Sequence, residues 1–360
     1  RLARFAARRP CRRSYSVQRE QVHIIEVGPR DGLQNEKNVI PVATKIELVE
    51  RLAQTGLRTI EAGSFVSPKW TPQARLTMAN SSEILKHILS TPPQAEDNIT
   101  YQWLVPNSKG LDAYLTTLNA SNTTHSPSST STSPQDSNAA PSNPDPPSPL
   151  PNHEISLFTA ATDSFALKNT NCTVAESLQR FEPIFATAKD NNIPVRAYIS
   201  VALGCPYEGP DVSPKAVADL AVTLLEMGAS QISVADTTGM GTAPRTRELL
   251  RSLSAAGVEP QDLALHFHDT YGQALVNTVV GLEAGIRAFD SAVSGLGGCP
   301  YSPGATGNVA TEELVYLFES LGLRTGVDLM KLANVGEWVS AELGRLNESR
   351  VGKASLARQR

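Results

Sequence analysis

The sequence predicts a closed, parallel (β/α)8 TIM barrel with C-terminal helices and a disordered low-complexity insert. Three observations point there. Eight apolar, strand-like runs alternate with eight helix-like segments through most of the chain. The first run passes into Gly28-Pro-Arg-Asp-Gly32 and not into the Gly-x-Gly-x-x-Gly turn of an open, doubly wound sheet. Residues able to do chemistry cluster at the ends of the runs, where a barrel collects its catalytic groups.

Val22–Gly28 reads as the first strand, and Pro41–Gln54 as a helix stopped by Gly56. Arg58–Phe65 is the second strand, with a helix after Trp70. Ile99–Pro106 is the third, followed by a helix from Ser108 to Asn119. The composition then breaks. In residues 121–152, 25 of 32 residues are Ser, Thr, Asn or Pro, too few apolar groups to offset the entropy of ordering. A disordered insertion within one domain is expected here, because the strand–helix rhythm resumes beyond it. It joins a helix to the next strand, which places it on the face opposite the strand ends.

Glu154–Ala160 is the fourth strand, and Thr173–Asp190 a helix interrupted near Pro183. Val195–Ala202, Gln231–Asp236, Leu263–His268 and Ala288–Ser294 are strands five to eight. Helices are expected over Ser213–Met227, from about Pro244, and up to Glu283. Further helices start at Val309 and about Asp328, so the barrel domain spans 20–347 and 348–360 remain as a tail.

Composition narrows the function classes. The first 19 residues hold seven arginines, serines and no acid, which resembles a mitochondrial transit leader and predicts the mitochondrial matrix. With seven of 32 basic residues there, 25 basic face 36 acidic side chains elsewhere, so nucleic acid is not the expected partner. No run of 18 uncharged apolar residues occurs, so no helix is expected to cross a membrane. The cysteines Cys11, Cys172, Cys205 and Cys299 have no Cys-x-x-Cys spacing and fit a reducing compartment.

In Ala264-Leu-His-Phe-His268 the strand period puts His266 and His268 on one face and Phe267 on the other. A lone His-x-His is most often two satisfied core histidines. Asp31 at the first strand end and Asn308 in a glycine-rich loop turn the pair into a mixed oxygen and nitrogen donor set. Such a set suits Mg²⁺ or Mn²⁺.

Arg30 is placed to stabilise an oxyanion. Glu61 lies in an apolar strand and needs a partner, Arg30 or a metal-bound water. Asp236 ends another apolar strand, as a site acid or a helix cap. Arg196 and Ser200 of the fifth strand are also expected at the mouth. The loop 295–308, with five glycines in fourteen residues, is a candidate lid carrying Cys299, a thiol able to move a proton.

Several of these stretches resemble 3-hydroxy-3-methylglutaryl-CoA lyases. They are Val27-Gly-Pro-Arg-Asp-Gly-Leu-Gln-Asn-Glu-Lys37, Ser64-Phe-Val-Ser-Pro-Lys-Trp70, Gly204-Cys-Pro-Tyr-Glu-Gly209, His266–Ala274, and Gly297-Gly-Cys-Pro-Tyr301 with Gly307-Asn308. The resemblance covers residues 22–347 apart from the insert. It implies metal ligation by Asp31, His266, His268 and Asn308, enolate stabilisation by Arg30, support from Glu61 and Asp236, and proton transfer by Cys299. It further implies an acyl-CoA substrate cleaved to acetyl-CoA and acetoacetate; a homodimer is also expected. His266 is the first choice for the base, with Asp31 the alternative. Isopropylmalate and homocitrate synthases share the Arg-Asp-Gly and His-x-His elements. They usually carry Gly-Glu-Arg before the closing Gly-Asn, where this chain has Cys-Pro-Tyr. A condensing acyltransferase and a non-catalytic interaction barrel are therefore the rival expectations.

Overall fold

Polar and apolar residues alternate along the strands of this chain, and the alternation decides what fills the barrel. In Val195-Arg-Ala-Tyr-Ile-Ser200, Ala197 and Ile199 join the hydrophobic core, while Arg196 and Tyr198 bond to side chains of other strands. Glu61, Gln102, Ser156, Ser233, His266 and Asp290 follow the same rule. The apolar face packs beneath the helices, and the barrel interior is a polar network whose members satisfy one another.

The computed structural model describes residues 20–34, 36, 38–66, 80–95, 97–122 (121 and 122 in backbone alone), 152–298 and 307–358. The strands are β1 His23–Glu26, β2 Thr59–Ser64, β3 Thr100–Leu104 and β4 Asn152–Ala160, then β5 Val195–Ser200, β6 Gln231–Asp236, β7 Leu263–Phe267 and β8 Ala288–Ser291. All pair in parallel and in sequence order, and β1 closes on β8 with His23 opposite Ala288 and Glu26 opposite Ser291.

The helices are α1 Val42–Ala53, α2 Ser81–Ser90, α3 Ser108–Asn122, α4 Asp163–Thr170, α5 Val174–Asp190 and α6 Pro214–Glu226. They continue with α7 Ala243–Ala255, α8 Ala274–Glu283, α9 Thr311–Ser320, α10 Leu329–Glu342 and α11 Arg350–Ala357. The barrel expected from the sequence is the barrel observed. The leader 1–19, the expected helix just after Trp70, residues 123–151 of the insert and Cys299 lie outside the described residues. The insert's flanks, Asn122 at the end of α3 and Asn152 at the start of β4, are a helix-to-strand connection, as expected.

Local differences have physical reasons. α5 is not interrupted at Pro183. Proline costs roughly 3 kcal/mol inside a helix, but Phe181, Ile184, Phe185 and Ala188 form one buried stripe around it, each large side chain contributing about 1.5–3 kcal/mol. Thr173 and Glu176 close a capping box at its start. The short helix α4 was not expected; Thr162 caps it and Phe165 anchors it. β5 and β8 end earlier than expected; Val201, directly after β5, and Ser294, three residues past the end of β8, take φ of 54°.

The stretch expected as a tail contains α11, packed against α9 and α10. Two buried acids at the start of α9 hold this region. Both carboxylate oxygens of Glu312 accept the Ser294 amide, at 3.1 and 3.0 Å, and Glu313 accepts the Arg350 amide at 3.0 Å. Burial pushes Glu312 up to about 8, and neighbouring Glu26 adds to the rise. Burial likewise pushes Glu26 up to about 7, although it accepts the Thr311 hydroxyl and the Val293 and Gly28 amides.

An acid raised in this way keeps its proton in the folded chain after the unfolded chain has lost it. Its stabilising contribution is complete below the ordinary carboxylate value and is lost as pH rises through the folded one. Glu312→Gln, which mimics the protonated acid, should therefore gain thermal stability relative to wild type as pH rises from about 5 to about 8. Melting curves by circular dichroism test this, and an offset independent of pH would contradict it.

Candidate active site at the barrel mouth

A single π-helical turn, Gly28–Gly32, leaves β1 and carries the first two functional side chains. The Asp31 and Gly32 amides both donate to the Val27 carbonyl, at 2.8 and 3.1 Å. Such turns recur at functional sites. Arg30 is buried and bridges two carboxylates. Its Nε and Nη2 each lie 2.7 Å from Glu61 Oε2, and its Nη1 donates to Asp31 Oδ1 at 2.8 Å. Burial works against the guanidinium charge, but Glu61 and Asp31 outweigh it and raise its pKa. Glu61 finds its expected partner in Arg30, and its second oxygen accepts Ser156 Oγ at 2.7 Å.

The two histidines meet Asp31 as predicted. One candidate ligand atom from each of Asp31, His266 and His268 lies within 4.8 Å of the others. The imidazole centroids are 5.2 Å apart, and Phe267 between them points into the core. β7 ends at Phe267; His268 instead bridges to Asn308 across the mouth. Burial would push Asp31 up, but Arg30, His266 and His268 outweigh it and hold its carboxyl below the ordinary range. Burial, with His266 alongside, pushes His268 down to about 4, leaving a neutral ring with a lone pair to give.

Asn308 closes the group. Its Nδ2 donates to Asp31 Oδ2 at 2.8 Å and to the Leu296 carbonyl at 3.1 Å. Its approach depends on two glycines. A Cβ on Gly297 (φ 124°) would sit 2.6 Å from Asn308 Nδ2, and one on Gly307 (φ 105°) would sit 2.8 Å from the Gly297 backbone. Among the described residues, buried His268 Nδ1 and Asn308 Oδ1 have no hydrogen-bond partner. An unpaired buried amide oxygen and an unpaired imidazole nitrogen beside an ionised carboxylate fit a divalent cation with oxygen and nitrogen donors.

The remaining expectations divide. Ser200 lines the mouth together with Leu104, Phe158, Phe165, Tyr198 and Thr237, so an apolar wall faces the charged cluster. Arg196 does not reach the mouth. It sits at the second position of β5, and its guanidinium bonds Asp290 (2.6 Å), Tyr198 and Gln231 inside the barrel. Asp236 turns to its own loop, accepting the Gly241 amide at 2.8 Å just before α7. Burial pushes it up to about 6 against the pull of the Gly241 and Gly239 amides. That is nearer to the capping role than to a ligand.

Two residues of this region escaped sequence reasoning. Tyr198 OH donates to Glu61 Oε2 at 3.2 Å, and its ring packs 5.3 Å from the Arg30 guanidinium. Asp290 accepts from Ser233 at 2.7 Å and pairs with His266 Nδ1 at 3.2 Å. Burial opposes its charge, yet Arg196 and His266 hold it at about 2. A signal was available: Asp290, like Glu61, is the one acid of a fully buried strand.

Comparison with known proteins places this mouth in a family. A family model described as HMGL-like matches residues 21–142 and 148–339. The chain is 44% identical to the 3-hydroxy-3-isohexenylglutaryl-CoA/hydroxy-methylglutaryl-CoA lyase of Pseudomonas aeruginosa, covering 94% of this chain and 98% of that one. It is also 44% identical to the mitochondrial hydroxymethylglutaryl-CoA lyase of Macaca fascicularis, covering 93% and 90%. The crystal structure of a hydroxymethylglutaryl-CoA lyase from Pseudomonas aeruginosa superimposes with a TM-score of 0.79 at 43% identity, over 94% of this chain and 99% of that one. Fold, mouth and sequence agree, and the chain belongs to the HMGL-like family of hydroxymethylglutaryl-CoA lyases.

Proposed function

We propose that this chain cleaves 3-hydroxy-3-methylglutaryl-CoA to acetyl-CoA and acetoacetate with the help of Mg²⁺ or Mn²⁺. The observation that carries the reading is the convergence of Asp31, His266, His268 and Asn308 beside Arg30, in a chain 44% identical to lyases of that substrate. Asp31, His266, His268 and Asn308 would hold the cation. When bound, it supplies Lewis-acid polarisation and a template for the substrate's oxygens.

The chain's own residues account for the other steps. The tertiary hydroxyl loses its proton to a group of this cluster: to His266 where its Nε2 is not ligating the cation, and otherwise to Asp31. The resulting alkoxide collapses to the ketone of acetoacetate as the carbon–carbon bond breaks. Negative charge then grows on the thioester oxygen, and Arg30 donates to it. Glu61 and Asp31 already hold the guanidinium in place, so no reorganisation is needed at that moment. Tyr198 and Glu61 stand behind Arg30 and keep it oriented. Cys299 is the proposed acid that protonates the enolate carbon to give acetyl-CoA.

A condensing acyltransferase on the same barrel is not favoured, because the relatives matched over nearly the whole chain are lyases. The Arg-rich leader supports the mitochondrial matrix as the compartment, although the bacterial relative is as similar as the mitochondrial one. A homodimer is proposed alongside the resemblance.

The purified chain with Mg²⁺ or Mn²⁺ should release acetoacetate from hydroxymethylglutaryl-CoA and stop when chelator removes the ion. Condensation of acetyl-CoA onto an oxo acid, with no acetoacetate released, would sink the lyase reading. Arg30→Gln should lower kcat by about 10²–10³ and also destabilise the fold, because it leaves the Glu61 carboxylate buried without its cation. Arg30→Gln/Glu61→Gln should recover the melting temperature and not the rate; recovery of both would refute Arg30 as the enolate partner. Residues 1–19 fused to a fluorescent reporter should direct it to mitochondria, and a diffuse cytosolic signal would count against that compartment.

A further inference from the structure

One carboxylate in the barrel interior has no part in the proposed steps. Asp290, the third residue of β8, is buried and accepts hydrogen bonds from three strands. Arg196 Nη2 lies 2.6 Å from its Oδ1; Ser233 Oγ and His266 Nδ1 lie 2.7 and 3.2 Å from its Oδ2. The ion pair with Arg196 keeps the group anionic, and an anionic carboxylate can only accept. His266 Nδ1 must therefore carry the proton, which leaves the lone pair of the neutral ring on Nε2. The ring has little freedom to turn: Tyr198 packs edge-on against it at 6.2 Å and 87°, and Tyr198 is itself tied to Arg196 and Glu61.

We propose that Asp290 is a positioning residue that fixes His266 as its Nδ1–H tautomer and turns the Nε2 lone pair toward Asp31 and His268, so that the donor set is arranged before a cation arrives. The inference rests on the metal reading of this mouth. It assigns a carboxylate–histidine–metal relay in which the carboxylate sits on β8, the strand beside that of the ligand.

Asp290→Asn tests the tautomer with little change of volume. Arg196 can only donate, so the amide oxygen must stay with it, and the amide nitrogen then faces His266. A donor at that position requires a lone pair on Nδ1 and moves the proton to Nε2, where it points at the donor set.

Two readouts apply. Long-range ¹⁵N–¹H correlation of the metal-free protein, assigned with His266→Gln, should show Nδ1–H in wild type and Nε2–H in Asp290→Asn. Electron paramagnetic resonance of free Mn²⁺ should show binding weakened about 10–100-fold in Asp290→Asn and unchanged in Ser233→Ala, which removes a bond to the same oxygen without moving the proton. If Asp290 only neutralised Arg196, the variant would melt earlier with wild-type tautomer and Mn²⁺ affinity, and that result would overturn the proposal. Nε2–H in the wild-type spectrum would overturn it even if the variant failed to fold. Absence of Mn²⁺ binding by wild type would remove the metal reading and this inference together.

Discussion

A run of hydrogen bonds crosses the barrel interior from His266 through Asp290, Arg196, Tyr198 and Glu61 to Arg30. Everything at the mouth stands on it. Breaking one buried ion pair strands its partner in a low-dielectric interior, which typically costs about 3–5 kcal/mol. Here two such pairs, Arg30 with Glu61 and Arg196 with Asp290, are joined through one phenol. The His266 and Arg30 side chains are thus held by partners on strands two, five and eight.

The site divides by what holds it. Glu61 and His266 project from strands, while Arg30, Asp31 and Asn308 come from segments that leave strands. Closure of the sheet brings these two classes together. Glu26 ties the exit of β1 to that of β8 by accepting the Gly28 and Val293 amides through one oxygen, at 2.8 and 2.9 Å. Its other oxygen takes the hydroxyl of Thr311 at the start of α9, at 2.6 Å. One buried side chain therefore fixes the relative height of the turn carrying Asp31 and the strand exit that leads on toward Asn308.

Much of this was legible in the sequence because it depends on period and position. The strand period put His266 and His268 on one face, and barrel geometry placed Asp31 near them. The solitary acid of an apolar strand announced Glu61. The errors came where tertiary packing overrides a local rule. Pro183 breaks helices in isolation, but the stripe around it is worth more than the lost bond. Strand period alone does not say how far along its strand Arg196 sits; the register puts it opposite Gln231, the first residue of β6 and far from the mouth. Asp290 carries the same signal as Glu61, and α4 and α11 are too short for a periodic pattern to stand out.

The connection between α3 and β4 has a consequence of another kind. Asn122 and Asn152 flank it at the end of the barrel opposite the mouth, and each belongs to an element anchored elsewhere: α3 packs on α2 and α5, and β4 pairs with β3 and β5. Nothing in the catalytic geometry requires the chain to be continuous at that point. The natural circular permutant of this barrel would begin at β4 and end with α3, assembling the same eight strands in rotated order.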